Sequence, residues 1–178
     1  NRANRAGAAI YSDLESNVLI EQCVIADNLV FGSSGPGGAV DNHATMTLLS
    51  CTLERNVTAL DGGAFTNFNT SAYADVIDCV FADNAAENGA AANLFWGTTN
   101  FVGCTFSNNV AGAEGGAVRT IGPAGTLHID TCSFTDNVAQ TGGALHVDIE
   151  SSIEDSSFSG NSSADGVAIC ASGTSPMT

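Results

Sequence analysis

The chain contains 178 residues, with 19 Asp and Glu against four Arg and no Lys, which gives a formal net charge of -15. This charge excludes an ordinary nucleic-acid-binding protein and argues against docking on an anionic membrane surface. The chain is 44% hydrophobic and contains 20 Gly, a composition that excludes a disordered polypeptide. No stretch approaches the ~20 apolar residues of a membrane span, so we expect no membrane insertion.

An internal repeat runs through the whole chain. It is marked by a Cys column with Ser156 in the sixth place and by an Asn column five residues further on; Asn1 fits the Asn column one repeat earlier. The members are Cys23, Cys51, Cys79, Cys104 and Cys132, followed by Asn28, Asn56, Asn84, Asn109, Asn137 and Asn161. Such regular self-similarity is typical of a solenoid.

Two further features repeat with the same period. Large apolar residues stand two positions after each Cys (Ile25, Leu53, Phe81, Phe106, Phe134, Phe158) and three before it (Ile20, Leu48, Val76, Phe101, Ile129, Ile153). A Gly-x-Ala motif with a mostly apolar fourth residue occurs at 7–10, 37–40, 62–65, 89–92, 115–118, 142–145 and 166–169. The spacing between this motif and the next Cys varies, which indicates loops there.

The local pattern within each repeat favours short strands. Polar and apolar residues alternate over 145–150, which predicts one half-buried strand. The two apolar columns have opposite parity along the chain, so a bend between them must return both to the interior. Stacking then places equivalent residues ~4.8 Å apart and gives a rod of roughly 30 Å. The Asn column is expected to form a hydrogen-bonded ladder, and Gly-Gly to supply a further corner.

Two solenoids fit this spacing. The Cys–Asn half of the repeat also resembles a leucine-rich repeat, but the other half begins with Gly-Gly-Ala and has no helical period. We therefore predict an all-β protein, a right-handed parallel β-helix of six to seven rungs with 24–28 residues each. The domain is expected to span 1–170, followed by a tail at 171–178, and to be a segment of a longer chain or polymer, since the chain starts at Asn1 without Met.

The motifs resemble the repeats of the chlamydial polymorphic membrane proteins. Phe-x-x-Asn stands at 81–84, 106–109, 134–137 and 158–161, with variants at 25–28 and 53–56, and alternates with Gly-Gly-Ala-aliphatic segments. The resemblance covers nearly the whole chain. It implies a pectate-lyase-like right-handed β-helix and the surface-exposed passenger of an autotransporter acting as an adhesin.

The cysteines are open to several interpretations. Stacked neighbours lie within disulfide range, but five in-register thiols cannot all pair, and no Cys-x-x-Cys pair suggests zinc. We predict a stack of buried, unpaired thiols. Cys170 lies outside the column, and a partner in another chain or in a missing segment remains open.

Metal and catalytic signals are weak. Asp27, Asp83 and Asp136 each precede a ladder Asn and predict an acidic stripe; calcium binding there is the alternative to a solvated face. His43, His128 and His146 lack metal-ligand spacing, and Arg55 and Arg119 are the only central cations. No nucleophile or phosphate-loop motif occurs. We therefore predict no catalytic residues, no bound metal and no cofactor.

A few residues predict surface recognition. Trp96, the only Trp, and Tyr73 form a candidate glycan-contact pair, although Trp96 also fits a core-covering role. Among the glycosylation sequons, Asn69 lies in a variable segment and is the best acceptor, whereas Asn56 and Asn161 belong to the ladder.

The expected function is a non-catalytic extracellular or cell-surface module. It would serve as a rigid rod in a surface fibre or an adhesin stalk, with a glycan-binding adhesin passenger as the alternative and a polysaccharide-degrading enzyme less favoured. Predicted partners are further copies joined end to end or the continuation of a longer chain, and glycans or a host surface. No nucleic-acid partner is expected.

Overall fold

The computed structural model describes residues 1–5, 7–32, 37–122 and 124–172. Within these residues the chain is an all-β parallel solenoid of about six turns, as predicted. Each paired strand lies beside its equivalent one turn earlier, one turn later or both, and all pairings are parallel. The described residues contain no helix that is long and apolar enough to cross a membrane.

Each turn visits four sheets, which we number in the order the chain meets them after the Gly motif. Sheet 1 contains Ile10–Ser12, Val40–Asn42, Phe65–Asn67, Ala92–Leu94, Val118–Thr120, Leu145–Val147 and Ile169–Ala171. Sheet 2 contains Asn17–Glu21, Thr45–Leu49, Tyr73–Ile77, Thr98–Val102, Thr126–Asp130 and Glu150–Glu154.

The other two sheets complete the turn. Sheet 3 contains Val24–Ala26, Thr52–Glu54, Val80–Ala82, Thr105–Ser107, Ser133–Thr135 and Ser157–Ser159. Sheet 4 contains Arg2–Ala3, Leu29–Val30, Val57–Thr58, Ala85–Asn88 and Val110–Glu114, and single bridges at Val138 and Ser162 continue it. Four stacked sheets distinguish this solenoid from a leucine-rich repeat.

Two corners in each turn use the left-handed backbone region. The residue before the Cys, between sheets 2 and 3, has φ between 43° and 65° on six turns: Gln22, Ser50, Asp78, Gly103, Thr131 and Asp155. The residue before the ladder Asn, between sheets 3 and 4, has φ between 51° and 67°: Asp27, Arg55, Asp83, Asn108, Asp136 and Gly160. The first of these corners is the bend that the opposite parity of the apolar columns predicts.

The core is built from the predicted columns. Val76 pairs with Leu48 on one side and Phe101 on the other, so the columns stack in register. The Phe column forms a continuous stack, in which Phe106 lies 4.9 Å from Phe81 and 4.5 Å from Phe134 between ring centroids. Phe134 and Phe158 continue the stack at 4.8 Å. The stack therefore extends the apolar core along the solenoid axis.

A second, smaller core lies under sheet 4. Ala90, Ala111 and Ala139 are buried together, and Ala86 packs against them. Ala86, Ala111 and Ala139 stand two positions after a ladder Asn. Ala90 belongs to the Gly motif at 89–92 and packs against them. Sheet 4 thus packs on methyl groups, where a leucine-rich repeat would place Leu.

The Gly motif forms the corner before sheet 1, where its backbone lies very close to side chains of that sheet. Gly115 has φ +60°, and a Cβ added there would lie 3.0 Å from the Cβ of Arg119. At Gly62, with φ +71°, an added Cβ would lie 2.9 Å from the Thr66 hydroxyl. The first Gly of the motif thus allows the turn and lets its backbone cover the outer side chains of sheet 1.

This cover corrects the prediction of one half-buried strand over 145–150. The strand spans only Leu145–Val147, and its three residues, His146 included, are all buried. The chain then bends at Asp148 and Ile149 into Glu150–Glu154 of sheet 2. The alternation of polar and apolar residues continues through this corner, so the sequence did not show where the strand ends. The outer face of sheet 1 lies beneath the Gly corners rather than in solvent, so its polar residues are buried as well.

The C-terminal boundary stays a prediction. Ile169–Ala171 carries sheet 1 one residue past the expected end at 170. The predicted tail at 171–178 lies, from residue 173 onward, outside the described residues.

Candidate functional site

The Asn ladder lies at the corner between sheets 3 and 4. Each of the six side chains from Asn28 to Asn161 is at most 8% exposed. Nδ2 donates to the Oδ1 of the Asn on the next turn along the whole series, at 2.8–3.1 Å, and Asn1 joins it through Asn28. On the last five Asn, Nδ2 also donates to a sheet 3 carbonyl of the preceding turn, at 2.9–3.0 Å. Stacked amides thus join successive turns.

The Cys column lies one corner earlier and consists of free thiols. The backbone N–H of Cys104 donates to the Sγ of Cys132 at 3.3 Å, while the Cys104 thiol lies 3.2 Å from the carbonyl of Val76. All six Cys of the chain are unpaired. Ser156 takes the sixth place in the column, since its hydroxyl accepts from the Cys132 N–H at 2.9 Å.

Cys23 is an exception to the predicted buried stack, because it is exposed, whereas Cys51, Cys79, Cys104 and Cys132 are buried. The thiols of Cys51 and Cys104 each reach a carbonyl of the preceding turn. The thiol of Cys23 instead lies 3.2 Å from the carbonyl oxygen of Glu21 in its own turn. Burial raises the pKa of the Cys51 thiol, which keeps it protonated and unreactive.

The predicted acidic stripe is broken. Asp27, Asp83 and Asp136 occupy alternate turns of the second left-handed corner, with Arg55 between the first two and Asn108 between the last two. Arg55 Nε lies 2.9 Å from Asp27 Oδ1, and this hydrogen bond lowers the pKa of the Asp27 carboxyl. No group of three or more His, Cys, Asp or Glu in the described ranges is arranged to hold a metal ion.

Trp96 and Tyr73 have different surroundings. The Trp96 ring is half-buried and packs against Phe68, with 5.2 Å between ring centroids. Tyr73 is 39% exposed, and its hydroxyl donates to Asp75 and accepts from Asn100, both at 2.9 Å. The structure therefore combines core contact and partial exposure at Trp96, while polar groups hold Tyr73.

The glycosylation sequons differ in burial, and the two that belong to the ladder are buried. Asn56 and Asn161 are buried in the ladder, at 0% and 8% exposure. Asn69 lies half-buried in the turn between the sheet 1 and sheet 2 strands of its repeat, where its Oδ1 accepts from the N–H of Ser71 at 3.5 Å. Glycosylation of Asn69 remains a prediction.

Cys170 lies in the last strand of sheet 1, in register with His146. Its thiol is half-buried and free. Burial raises its pKa, and so do the nearby carboxylates Asp165, Asp148 and Glu114. A partner thiol in another chain or segment stays a prediction.

The sequence did not mark the outer residues of sheet 1 as a site. On five successive turns, Asp41, Thr66, Asn93, Arg119 and His146 stand in register, and we call them the sheet 1 column. The side chains of Asp41, Thr66 and Asn93 are fully buried beneath the Gly corners, and those of Arg119 and His146 are 12% and 7% exposed. A line of polar groups is thus shielded from water on the outside of the sheet.

Short polar contacts hold parts of this column. Asp41 Oδ2 lies 3.0 Å from His43 Nε2, and burial raises the pKa of the Asp41 carboxyl to about 6 against the opposing effect of His43. Arg119 Nε donates to Glu114 Oε2 at 2.7 Å. His146 Nε2 lies 3.4 Å from Asp148 Oδ1. The available sequence signal was Asp-x-His and His-x-Asp spacing, which puts both side chains on one face of a strand.

A row of rings runs beside the column, at the corner between sheets 1 and 2. Ring centroids lie 5.0 Å apart between Tyr11 and His43, 5.2 Å between His43 and Phe68, and 4.9 Å between Phe68 and Phe95. Trp96 packs on Phe68 and completes the row. These five residues, which we call the ring row, have partly exposed side chains. The column and the row together are the strongest candidate site on the described surface.

Comparison with known proteins gives one family match. Residues 103–120 match the model of the Chlamydia polymorphic membrane protein repeat. The matched segment includes both a Phe-x-x-Asn motif and a Gly-Gly-Ala-Val motif. No curated protein matches the chain, and no solved structure matches it. The chain is thus a parallel β-solenoid repeat protein that resembles the Chlamydia polymorphic membrane proteins.

Proposed function

We propose that the chain is a rigid, non-catalytic module of the cell surface, serving as the rod of a surface fibre or of an adhesin stalk. The observation that carries this proposal is the continuity of structure along the axis. The Asn ladder, the Phe stack and sheets 1 to 3 pass from turn to turn, and single bridges at Val138 and Ser162 continue sheet 4.

Stiffness follows from this arrangement. Bending the rod would open backbone hydrogen bonds on one side and crowd ring and amide stacks on the other. The match to the Chlamydia polymorphic membrane protein repeat supports a location at the outer membrane or on the surface. The proposal extends to end-to-end partners, since the edge strands of any solenoid carry backbone groups open to pairing.

The surroundings of Asp41, whose pKa burial raises to about 6, support the absence of catalysis in this proposal. Asp41 faces His43 rather than a second carboxylate, so the acid and base pair of a glycosidase is not assembled there. Activity assays on polysaccharides should compare the native protein with Asp41→Ala. Turnover by the native protein that is lost in the variant would contradict the proposal.

Surface labelling tests the location. Antibodies raised against the chain, detected with gold particles, should decorate intact source cells in electron micrographs. Labelling that appears only after the cells are permeabilised would contradict the proposal. An antibody against a cytoplasmic protein provides the matched control for cell integrity.

A further inference from the structure

The two ends of the Cys column differ in their chemistry. Cys23 carries a free thiol that is exposed, whereas the thiol of Cys51 in the next turn is free but buried. The sixth place of the column is held by Ser156, whose hydroxyl accepts from the Cys132 N–H and cannot form a disulfide. A dissolved reagent therefore reaches the column at Cys23, where a thiol is exposed to solvent.

Cys23 and Cys51 stand beside each other on adjacent turns. The residues that follow them, Val24 and Thr52, are paired in parallel register, and the Thr52 N–H donates to the Cys23 carbonyl at 2.9 Å. Parallel neighbours of this kind have Cα atoms about 4.8 Å apart. This separation lies inside the range of roughly 4.4–6.8 Å over which a disulfide joins two Cα atoms.

The Cys51 sulfur leans towards the turn of Cys23. Its thiol lies 3.4 Å from the carbonyl oxygen of Ile20, which belongs to that turn. Burial raises the pKa of the Cys51 thiol, and the backbone N–H of Cys23 acts in the opposite direction. The Cys51 sulfur thus already lies close to the backbone of Cys23, so that the side chain of Cys23 is the one that has to move.

The Cys23 side chain has room for this movement. Its thiol lies 3.2 Å from the Glu21 carbonyl of its own turn, which is a weak sulfur hydrogen bond. Because the side chain is exposed, rotation about its Cα–Cβ bond displaces water rather than packed atoms. A change of rotamer therefore releases the sulfur from the Glu21 carbonyl at little cost.

We propose that Cys23 and Cys51 are a redox pair, which a low-molecular-weight disulfide converts to an intramolecular disulfide between adjacent turns of the solenoid. The Cys23 thiolate attacks one sulfur of the reagent, which forms a mixed disulfide and releases one small thiolate. The Cys51 thiolate then attacks the Cys23 sulfur and releases the second small thiolate. The two released thiolates take up the two protons that the cysteines lose, and the reagent gains the two electrons.

Proximity makes the second step possible although Cys51 is closed to dissolved reagents. The mixed disulfide on Cys23 is held beside the Cys51 sulfur, so the attack is intramolecular and has a high effective concentration. Since burial raises the pKa of the Cys51 thiol, closure of the disulfide should become faster as the pH rises.

Spacing and burial together select this pair. Cys79 is two turns from Cys23, roughly 9.6 Å by the same spacing, which exceeds the range of a disulfide. Cys79, Cys104 and Cys132 are buried, so a dissolved reagent does not reach them in the folded protein. Cys51 is therefore the column neighbour with which an oxidised Cys23 reacts.

The disulfide joins strands that the fold already aligns. It lies directly before Val24–Ala26 and Thr52–Glu54, two paired strands of sheet 3. Such a cross-link restricts the unfolded chain and leaves the native pairing in place, so the oxidised rod should melt at a higher temperature than the reduced rod. The inference goes beyond the proposed rod function, and its failure would leave that function untouched.

Oxidation of the native chain tests the pair. The folded protein is incubated with oxidised glutathione at mildly alkaline pH, then acidified and digested with pepsin, because exchange is slow in acid. Mass spectrometry should find the Cys23 and Cys51 peptides linked and two hydrogens lighter than their sum. The melting temperature should rise by several degrees, and dithiothreitol should reverse both changes. Recovery of Cys23 only as a glutathione adduct, or only linked to Cys23 of a second chain, would overturn the proposal.

Matched variants assign the partner. Cys51→Ser should leave Cys23 as a lasting glutathione adduct and abolish the rise in melting temperature. Cys79→Ser makes the same change one turn further along and should keep the cross-link. Both variants should fold, since the column itself carries serine at Ser156. Loss of the cross-link in both variants alike, or its survival in Cys51→Ser, would contradict the assignment.

Discussion

The Oδ1 of Asn137 accepts two hydrogen bonds from Asn109, one from its Nδ2 at 2.9 Å and one from its backbone N–H at 3.0 Å. The second hydrogen of Asn109 Nδ2 goes to the carbonyl of Phe81 on the preceding turn, at 3.0 Å. Asn109 therefore connects three successive turns through one side chain, in an interior that is closed to water. This geometry makes the ladder a cross-link along the rod.

Asn109→Ala should lower the free energy of unfolding by about 2–4 kcal/mol, because it leaves the Phe81 carbonyl and the N–H and Nδ2 of Asn84 without their partners. Urea unfolding followed by circular dichroism measures the change. Asn100→Ala is the control, since this partly exposed amide should cost less than about 1 kcal/mol. Equal losses in the two variants would contradict the structural role of the ladder.

Thr131→Gly should stabilise the protein by about 1 kcal/mol. Thr131 is a β-branched residue at φ +55°, a conformation that is costly for any residue except Gly. Thermal unfolding of the variant should shift to a higher temperature.

The matched control is Thr135→Gly, which makes the same change in an extended strand of sheet 3 and should destabilise by roughly 0.5–1 kcal/mol. If both variants are destabilised alike, Thr131 does not have the left-handed backbone conformation described above.

The corners show how far the sequence predicts this fold. Recurring Asn, Cys and large apolar residues revealed the period, the stacking and the need for a bend. The bend was predicted between the two apolar columns, but not the residue at which it occurs, because Gln22, Ser50 and Asp78 at the first corner share no residue type. Their left-handed backbone is imposed by the packing of the strands on either side, which tertiary contacts rather than local preference decide.

Asp41 should make stability depend on pH. Its carboxyl has a pKa of about 6 in the folded protein and 3.8 as the reference value, so the folded state binds the proton more tightly. The stabilisation that follows is present in full below pH ~4 and is lost as the pH rises through 6. The free energy of unfolding should therefore fall by up to about 3 kcal/mol over this range. His43 and Tyr11 are the titratable groups that face it.

Asp41→Asn keeps the shape and carries no charge, so this dependence should vanish. The free energy of unfolding of the variant, relative to the native chain, should increase from pH 4 to pH 7. Asp83→Asn, an exposed corner residue, controls for the general loss of one carboxylate. A pH profile of Asp41→Asn that runs parallel to that of the native chain would contradict the burial of the Asp41 carboxyl.

Thiol reactivity should separate Cys23 from the rest of its column. Cys23 is exposed, whereas Cys51, Cys79, Cys104 and Cys132 are buried. Iodoacetamide should modify Cys23 in the folded protein within the time that leaves the four buried thiols unmodified, and all should react in urea. Peptide mass spectrometry assigns the positions. Rapid modification of Cys79 in the folded state would contradict the stack.

The buried sheet 1 column was beyond prediction from the sequence. A column reveals itself when stacking selects one residue type, as it does for the ladder Asn. The sheet 1 column contains five different residue types: Asp41, Thr66, Asn93, Arg119 and His146. Asp41, Thr66 and Arg119 bond sideways to different neighbours rather than to each other, so stacking selects no single type. Its burial depends on the Gly corners that fold over it, and alternation alone predicted solvent there.

Electron microscopy of the purified native material tests the central claim, a rigid surface rod, most directly. The account predicts straight rods whose length corresponds to the number of turns at ~4.8 Å each, with further length where copies or repeats join end to end. Particles that bend freely between short segments would contradict it.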